Sequence, residues 1–241
     1  MGLLLAACAG LGNLLGGLLV ITRRAWGTLL LRLFVAIGAG FLLSVALLRM
    51  LPEALALEPR WTLPLVVGGY FLTHTFEHGF VPHFHFGEET HPGVVHRRSS
   101  LAALGGLGLH SFFDGVSIAA GYQVSPVLGW LVFVAIALHK LPEGFTISSI
   151  VLAAGGSRRW AVLAAGLVGA ACLLGAILLA GAPGWAGPGL AIATGVTLYV
   201  AATDLVPEVN KEIGHHLALT VLGGPALYLV VGWVIAALAE G

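Results

Sequence analysis

Eight apolar segments, each long enough to cross a lipid bilayer, predict an all-α membrane protein for this chain. The composition agrees, because 58% of the 241 residues are hydrophobic and only 9% are charged. A soluble domain carries roughly 25% charged residues. The mean hydropathy is +0.98. A globular core cannot bury this much apolar surface, so lipid is the expected solvent.

The eight segments meet the length that a membrane crossing requires. A hydrocarbon core about 30 Å thick needs about 20 apolar residues in one helix. The segments lie at 1–21, 28–52, 61–81, 100–122, 126–154, 160–182, 185–208 and 216–239. Helix breakers such as Pro59, Pro82 and Pro183 fall between them. Because no linker or low-complexity tract interrupts the pattern, residues 1–241 are predicted to form a single transmembrane domain.

Basic residues predict the orientation, because they lie almost entirely in alternate loops. The first, third, fifth and seventh loops contain Arg23 and Arg24, Arg97 and Arg98, Arg158 and Arg159, and Lys211. The even-numbered loops contain only Arg60. Cytoplasmic loops carry an excess of Lys and Arg. The odd loops are therefore predicted to be cytoplasmic and both termini to lie outside.

Charge and cysteine content argue against several other classes of protein. The formal net charge is zero, which gives no electrostatic reason to expect nucleic acid as a partner. Cys8 and Cys172 are the only cysteines, and both lie in apolar segments. They predict neither a disulfide framework nor a cysteine-based zinc site.

The fourth and fifth segments each contain a His-x-x-x-carboxylate-Gly motif near the middle, at His110 and Asp114 and at His139 and Glu143. Residues four apart share one helix face, so each helix can direct an imidazole and a carboxylate at one point. Ionisable groups at membrane depth indicate function by default. Two nitrogens and two oxygens suit Zn²⁺, and Fe²⁺, Mn²⁺, Co²⁺ or Cd²⁺ would also fit. The alternative is two helix-linking hydrogen-bond pairs, which would leave two buried carboxylates without a cation. Pro142, inside the second motif, is expected to displace the carbonyl of Leu138.

These paired motifs resemble the signature of the ZIP (Zrt/Irt-like) metal transporters, and the resemblance extends over nearly the whole chain. It implies that His110, Asp114, His139 and Glu143 are the primary ligands for a transported zinc ion. It also implies alternating access on an inverted-repeat fold. Some members of the family hold two metals, with an acidic or polar residue at the position of Lys140. A protonated lysine cannot ligate a metal, so a second site is in doubt here and Ser111 would be a weak or absent ligand.

Two Pro-Glu pairs suggest internal symmetry. Pro52-Glu53 ends the second segment and Pro207-Glu208 ends the seventh, at opposite membrane faces by the charge argument. This arrangement fits an inverted repeat that relates segments 1–3 to segments 6–8 around a central pair, segments 4 and 5. The alternative is that Pro-Glu simply marks helix ends.

Several residues near the ends of these segments are candidates for the ion pathway. Glu53, Asp204 and Glu208 could guide ions at the two mouths, and Met50 could be a soft ligand or simple packing. Asp204 could instead pair with Lys140 or Arg49.

Histidines are concentrated around the third loop, at about 82–99. Candidate cytoplasmic-side metal ligands are His74, Glu77, His78, His83, His85 and His91. The alternative is a flexible polar loop that happens to contain histidines. His74-x-x-Glu77-His78 also matches the H-x-x-E-H pattern of zinc hydrolases, which gives an intramembrane hydrolase as the competing function.

Together these patterns favour a carrier over an enzyme, because polar groups are distributed from one membrane face to the other. The resemblance implies uptake of zinc into the cytoplasm by a compact protein of a prokaryotic plasma (inner) membrane. The predicted partners are divalent metal ions and the lipid bilayer, and the sequence leaves open a homodimer.

Overall fold

The computed structural model describes residues 1–22, 28–80, 97–210 and 219–240, and within these ranges the chain is helical with no β-strand. The predicted all-α membrane class is therefore confirmed. Ten α-helices form this part of the chain: α1 (Gly2–Thr22), α2 (Thr28–Val45), α3 (Leu51–Leu57), α4 (Thr62–Phe80), α5 (Arg97–Val124), α6 (Pro126–Ala153), α7 (Arg158–Ala180), α8 (Ala186–Tyr199), α9 (Val206–Asn210) and α10 (Gly223–Glu240).

Six helical stretches of the described chain are long and apolar enough to cross a membrane. They are Gly2–Thr22, Leu33–Leu57, Ser100–Val124, Pro126–Ala153, Arg158–Ala180 and Ala186–Leu205. Helices α4 and α10 occupy the positions of the predicted third and eighth segments. The apolar stretch at the eighth position, Leu219–Ile235, is shorter than the other six. The count of eight spans therefore remains a prediction, while their places along the chain agree with the helices.

Helix ends follow from local sequence. The Ser125 hydroxyl accepts a hydrogen bond from the amide of Leu128, and Pro126 occupies the first turn of α6. This helix ends at Ala153, and Gly155, two residues later, has a φ of +79° that suits a residue without a Cβ. Ser157 then caps α7 through the amide of Trp160.

The helices form eight rods in chain order, at the positions of the eight predicted segments, and two of these rods contain a π-helical segment. They are the second rod, made of α2 and α3, and the seventh rod, made of α8 and α9. Ala46–Met50 joins α2 to α3, and Val200–Leu205 joins α8 to α9. In each rod, the amide of the residue before proline bonds a carbonyl five residues back: Leu51 to Ala46, and Val206 to Ala201. Proline offers no N–H and its ring crowds the carbonyl four residues back, so the wider π turn relieves the conflict.

Pro142 behaves differently from the other two prolines. It lies inside α6, which continues as an α-helix from Pro126 to Ala153. The π turns found before Pro52 and Pro207 therefore have no counterpart before Pro142, and the displacement of the Leu138 carbonyl stays a prediction.

The pairs of helices in contact follow the pattern expected of an inverted repeat. The first rod, α1, packs on α6, and the sixth, α7, packs on α5. The third rod, α4, packs on the seventh, which contains α8, and the eighth, α10, packs on the second, which contains α2. α5 contacts α8, and α6 contacts α2. An inverted repeat would exchange rods 1, 2 and 3 with rods 6, 7 and 8, and rod 4 with rod 5. Under this exchange, each contact named above becomes another contact named above; for example, the contact of rods 1 and 5 becomes that of rods 6 and 4. Helices α5 and α6 lie side by side at the centre.

Candidate metal centre

The four motif residues of α5 and α6 converge inside the protein. His110 and Asp114 lie one turn apart on α5, and His139 and Glu143 lie one turn apart on α6. One ligand atom from each lies within 4.8 Å of the others. The residues are between 3% and 7% exposed. The i, i+4 spacing thus produces the two-nitrogen, two-oxygen arrangement that the sequence predicts, in a buried position.

One carboxylate oxygen, Asp114 Oδ2, lies at the middle of this group. It is 3.2 Å from His110 Nε2 and 3.4 Å from His139 Nε2. The two imidazole Nε2 atoms are themselves 3.4 Å apart. On its far side, His139 Nδ1 lies 3.2 Å from the carbonyl oxygen of Ala135. A proton on Nδ1 donates to that carbonyl, which leaves the Nε2 lone pair for a metal ion.

Two atoms of the centre are buried without a hydrogen-bond partner in the described structure, His110 Nδ1 and Glu143 Oε1. A buried polar atom left unpaired costs free energy. A carboxylate oxygen such as Glu143 Oε1 is an acceptor that a metal ion can satisfy. The donor set of imidazole nitrogens and carboxylate oxygens suits a divalent ion of borderline hardness.

Lys140 lies against both carboxylates of the centre. Its Nζ is 2.6 Å from Asp114 Oδ2 and also contacts Glu143 Oε2. It donates a third bond to Ser111 Oγ over 2.9 Å. Lys140 and Ser111 are fully buried. Ser111 is therefore a hydrogen-bond acceptor for the ammonium, and the position next to the ligands already contains a positive charge.

Asn13 is a polar residue of this region that sequence reasoning missed. It is fully buried on α1. With its amide nitrogen turned toward the two acceptors beside it, Asn13 donates to Glu143 Oε2 over 3.3 Å and to the backbone carbonyl of Lys140. The available signal was an amide in the middle of an otherwise apolar first segment.

The glycine that ends each motif is explained by close helix contacts. A Cβ at Gly144 would collide with the carbonyl oxygen of Asn13 on α1. A Cβ at Gly115 would collide with the carbonyl oxygen of Cys172 on α7. Small residues allow membrane helices to approach this closely. Each motif therefore places two ligands and the helix contact that holds them.

The structure does not bring the predicted pathway residues into the central group. Met50 is 1% exposed within the hydrophobic core, where it packs. Glu53 pairs with Arg49 over 3.1 Å. Asp204 lies half-buried in the π-helical segment before α9 and interacts electrostatically with Glu77. Among the described residues, Arg49 pairs with Glu53, and Lys140 pairs with Asp114 and Glu143, so neither cation that the sequence suggested is seen paired with Asp204. The side chain of Glu208 lies outside the described residues.

A second polar cluster lies between α4 and α8. The Tyr199 hydroxyl hydrogen-bonds to Glu77 and lies 3.4 Å from His78 Nδ1. The rings of His74 and His78 stack, with centroids 4.2 Å apart and planes inclined by 30°. The candidate ligands His83, His85 and His91 lie outside the described residues. We call His74, Glu77, His78, Tyr199 and Asp204 the outer cluster.

The stacking of the outer histidines bears on the competing hydrolase. A zinc hydrolase needs both imidazoles to direct in-plane lone pairs at one ion. Stacked rings direct the lone pairs of His74 and His78 side by side instead of toward a common point. The described residues close enough to hold an ion together are the four of the central group.

Comparison with known proteins finds zinc transporters both among family models and among individual relatives. A family model described as ZIP Zinc transporter matches residues 87–232. The zinc transporter ZupT of Escherichia coli K12 (DH10B) is 30% identical over 186 residues, covering 73% of this chain and 71% of the relative. ZupT of E. coli O157:H7 (EC4115) and of E. coli O9:H4 (HS) match to the same extent.

Proposed function

This chain belongs to the ZIP family of zinc transporters, and from that premise we propose that zinc crosses the membrane through the central group of His110, Asp114, His139 and Glu143. The observation that carries the assignment is the convergence of these four buried ligands within 4.8 Å. Two imidazoles and two carboxylates can replace the water that a zinc ion loses on leaving solution. The protein is thus an integral membrane transporter of divalent metal ions, and the intramembrane hydrolase is not supported.

The donor set defines the expected selectivity. Imidazole and carboxylate ligands accept several first-row divalent ions, with affinity rising toward the end of the series. Zn²⁺ is the first substrate, and Fe²⁺, Mn²⁺, Co²⁺ and Cd²⁺ are secondary ones. Because Lys140 Nζ already lies between Asp114 and Glu143, we expect one metal ion in the centre instead of two.

Alternating access is the proposed transport mechanism. The exchange symmetry of the helix packing supports it, since inverted repeats give a carrier two related conformations. On the cytoplasmic side, the residues of the outer cluster would receive ions that leave the centre, and Glu53 would attract ions at the opposite face. We propose uptake into the cytoplasm across a bacterial inner membrane, with both termini outside. A homodimer is the assembly we would test first.

Zinc flux into liposomes tests the central assignment. The purified protein is reconstituted, and entry of radioactive zinc is compared between the wild type and His110→Ala/Glu143→Ala. Saturable uptake by the wild type should fall to the level of protein-free liposomes in the double variant. Glu58→Gln, which removes a carboxylate at the end of α3, is the matched control and should keep wild-type uptake. Full uptake by the double variant would contradict the site.

A further inference from the structure

The structure assigns Lys140 a role beyond filling space beside the ligands. We propose that its ammonium is a built-in counter-ion that allows the unloaded carrier to return across the membrane. The inference rests on the proposed transport function, and it adds the residue on which the return step depends.

The contacts of Lys140 are those of a cation held by two carboxylates. Its Nζ lies 2.6 Å from Asp114 Oδ2, contacts Glu143 Oε2, and donates to Ser111 Oγ over 2.9 Å. These three oxygens satisfy the three protons of an ammonium. Two of them belong to ligands of the transported ion, so the lysine and the metal share the same negative charges.

The lysine cannot leave this position for water. It is fully buried on α6. Gly12 of α1 lies against its stem, and a Cβ added there would come within 3.1 Å of Lys140 Cβ. Since Asn13 of α1 faces the Lys140 carbonyl, the backbone on either side of the stem is also held. The ammonium is therefore a fixed component of the centre and moves with it.

The Lys140 ammonium changes the net charge of the centre in both its unloaded and its zinc-loaded state. With neutral imidazoles, Asp114 and Glu143 give the unloaded centre a charge of −2 if Lys140 is ignored, and zinc brings it to zero. With the ammonium included, the two states carry −1 and +1. The cost of placing a charge in a low-dielectric region rises with the square of the charge. Lys140 therefore lowers the cost of moving the unloaded centre and raises the cost of moving the loaded one.

The same geometry makes Lys140 a competitor of zinc. Asp114 Oδ2 is within 3.4 Å of the two Nε2 atoms and 2.6 Å from Lys140 Nζ. A zinc ion bound by the imidazoles draws on the electron density of the oxygen that the ammonium uses. Removing the ammonium should consequently tighten zinc binding, and zinc should then leave more slowly.

Carrier kinetics separate the return step from the loaded step. Net uptake into zinc-free liposomes requires the unloaded centre to return after every ion. Exchange of external radioactive zinc for internal unlabelled zinc requires only the loaded centre to move in both directions. A residue that serves the return step therefore controls the ratio of net uptake to exchange.

The test compares the wild type with Lys140→Met, which keeps the length of the stem and removes the charge. We expect the ratio of net uptake to exchange to fall at least about ten-fold. A ten-fold slower return step needs only a small rise in its free-energy barrier, and leaving a buried carboxylate without its cation costs considerably more than that. Net uptake should show a single-turnover burst followed by a stall. Zinc binding in detergent should tighten, which also shows that the variant is folded.

Two further variants make the test specific. Lys140→Arg keeps the charge and should restore the ratio at least in part. Arg60→Met removes an exposed cation at the start of the connection to α4 and should leave the ratio unchanged. An Arg variant that binds zinc but stalls like the Met variant would contradict a role for the charge.

Three other outcomes overturn an element of the proposal. Equal losses of net uptake and exchange in Lys140→Met, with zinc still bound, would exclude a specific role in the return step. Loss of zinc binding would make Lys140 a structural support for the ligands. Absence of both fluxes in the wild type would instead contradict the transport function itself, so the two failures are distinguishable.

Discussion

The central group and the outer cluster both place carboxylates among membrane helices, but they compensate the charge in different ways. Asp114 and Glu143 are 3% exposed and share the ammonium of Lys140. Glu77 and Asp204 are half-buried, and their described neighbours are a hydroxyl, an imidazole and each other. Water can reach the outer carboxylates, so they need no fixed cation, whereas the central ones are too deeply buried to do without one.

This difference predicts different roles for the two regions. A group that is sealed from water and neutralised by a fixed charge can hold a dehydrated ion strongly and in one geometry. A half-exposed acidic cluster attracts hydrated ions weakly, and the attraction is screened by salt. Substitutions in the centre should therefore change both stability and transport strongly, and those in the outer cluster should change stability little and mainly alter how fast ions are exchanged at the cytoplasmic end of the pathway.

The largest effect is expected from removing the shared central carboxylate. Asp114→Asn should abolish zinc uptake and destabilise the protein by about 3 kcal/mol, the low end for a broken buried ion pair, because Lys140 loses its 2.6 Å partner but keeps Glu143. The matched change in the outer cluster, Asp204→Asn, should cost less than about 1 kcal/mol. Unfolding in mixed detergent micelles measures the stability of both variants, and liposome flux measures their zinc uptake.

A triple variant identifies the cause of that loss of stability. Lys140 contacts both carboxylates, so Asp114→Asn/Lys140→Met/Glu143→Gln removes all three charges and should recover most of the free energy of unfolding, though not the transport. If the triple variant is as unstable as Asp114→Asn alone, the lost ion pair is not the cause and the comparison between the two clusters fails.

The second prediction asks whether close packing, as well as charge, holds the centre. Gly144→Ala places a methyl group against the Asn13 carbonyl and should destabilise the protein by about 3 kcal/mol, at the upper end for overpacked cores. Gly68→Ala on α4, where no heavy atom lies within 4 Å of the added carbon, is the control. Equal stability of the two variants, measured by thermal unfolding, would show that α1 can move away without cost.

The third prediction compares one hydrogen-bonding group from each region. Asn13→Leu leaves Glu143 Oε2 and the Lys140 carbonyl with one donor fewer in a buried place, at an expected cost of about 1–3 kcal/mol. Tyr199→Phe removes the hydroxyl that bonds Glu77, at about 0.5–1.5 kcal/mol. If Tyr199→Phe were the more damaging of the two in an unfolding assay, the outer cluster would be as structural as the centre.

The sequence predicts the elements of this protein whose signal is local. Apolar length places the helices, and the i, i+4 spacing places His110 with Asp114 and His139 with Glu143 on common faces. Lys140 next to His139 also suggests a cation in the centre before any geometry is known. These inferences need only one helix at a time, or two helices joined by a short turn.

The remaining features depend on contacts between distant helices. Asn13 belongs to the centre because α1 packs against α6, and a single amide in an apolar segment does not name its partner. Proline inside a helix has two different structural effects in this protein. A π-helical segment precedes Pro52 and Pro207, whereas the α-helix continues through Pro142. Which outcome occurs is decided by the packing around each proline and not by the proline alone.

The smallest effect is expected from Glu77→Gln in the outer cluster. Because Glu77 is half-buried and hydrogen-bonded to Tyr199, its loss should change the free energy of unfolding by less than about 1 kcal/mol. It should raise the KM for zinc presented at the cytoplasmic face, measured as zinc efflux, by about two- to five-fold at low salt. The maximal rate should change little, since a peripheral charge acts on the rate of encounter.

High salt provides the control for Glu77→Gln, because screening should bring the KM of the wild type close to that of the variant. A large fall in the maximal rate that persists in high salt would contradict a peripheral role. Glu77 would then be a ligand or a gating residue that the ion must pass, and charge compensation would no longer separate the two clusters by function.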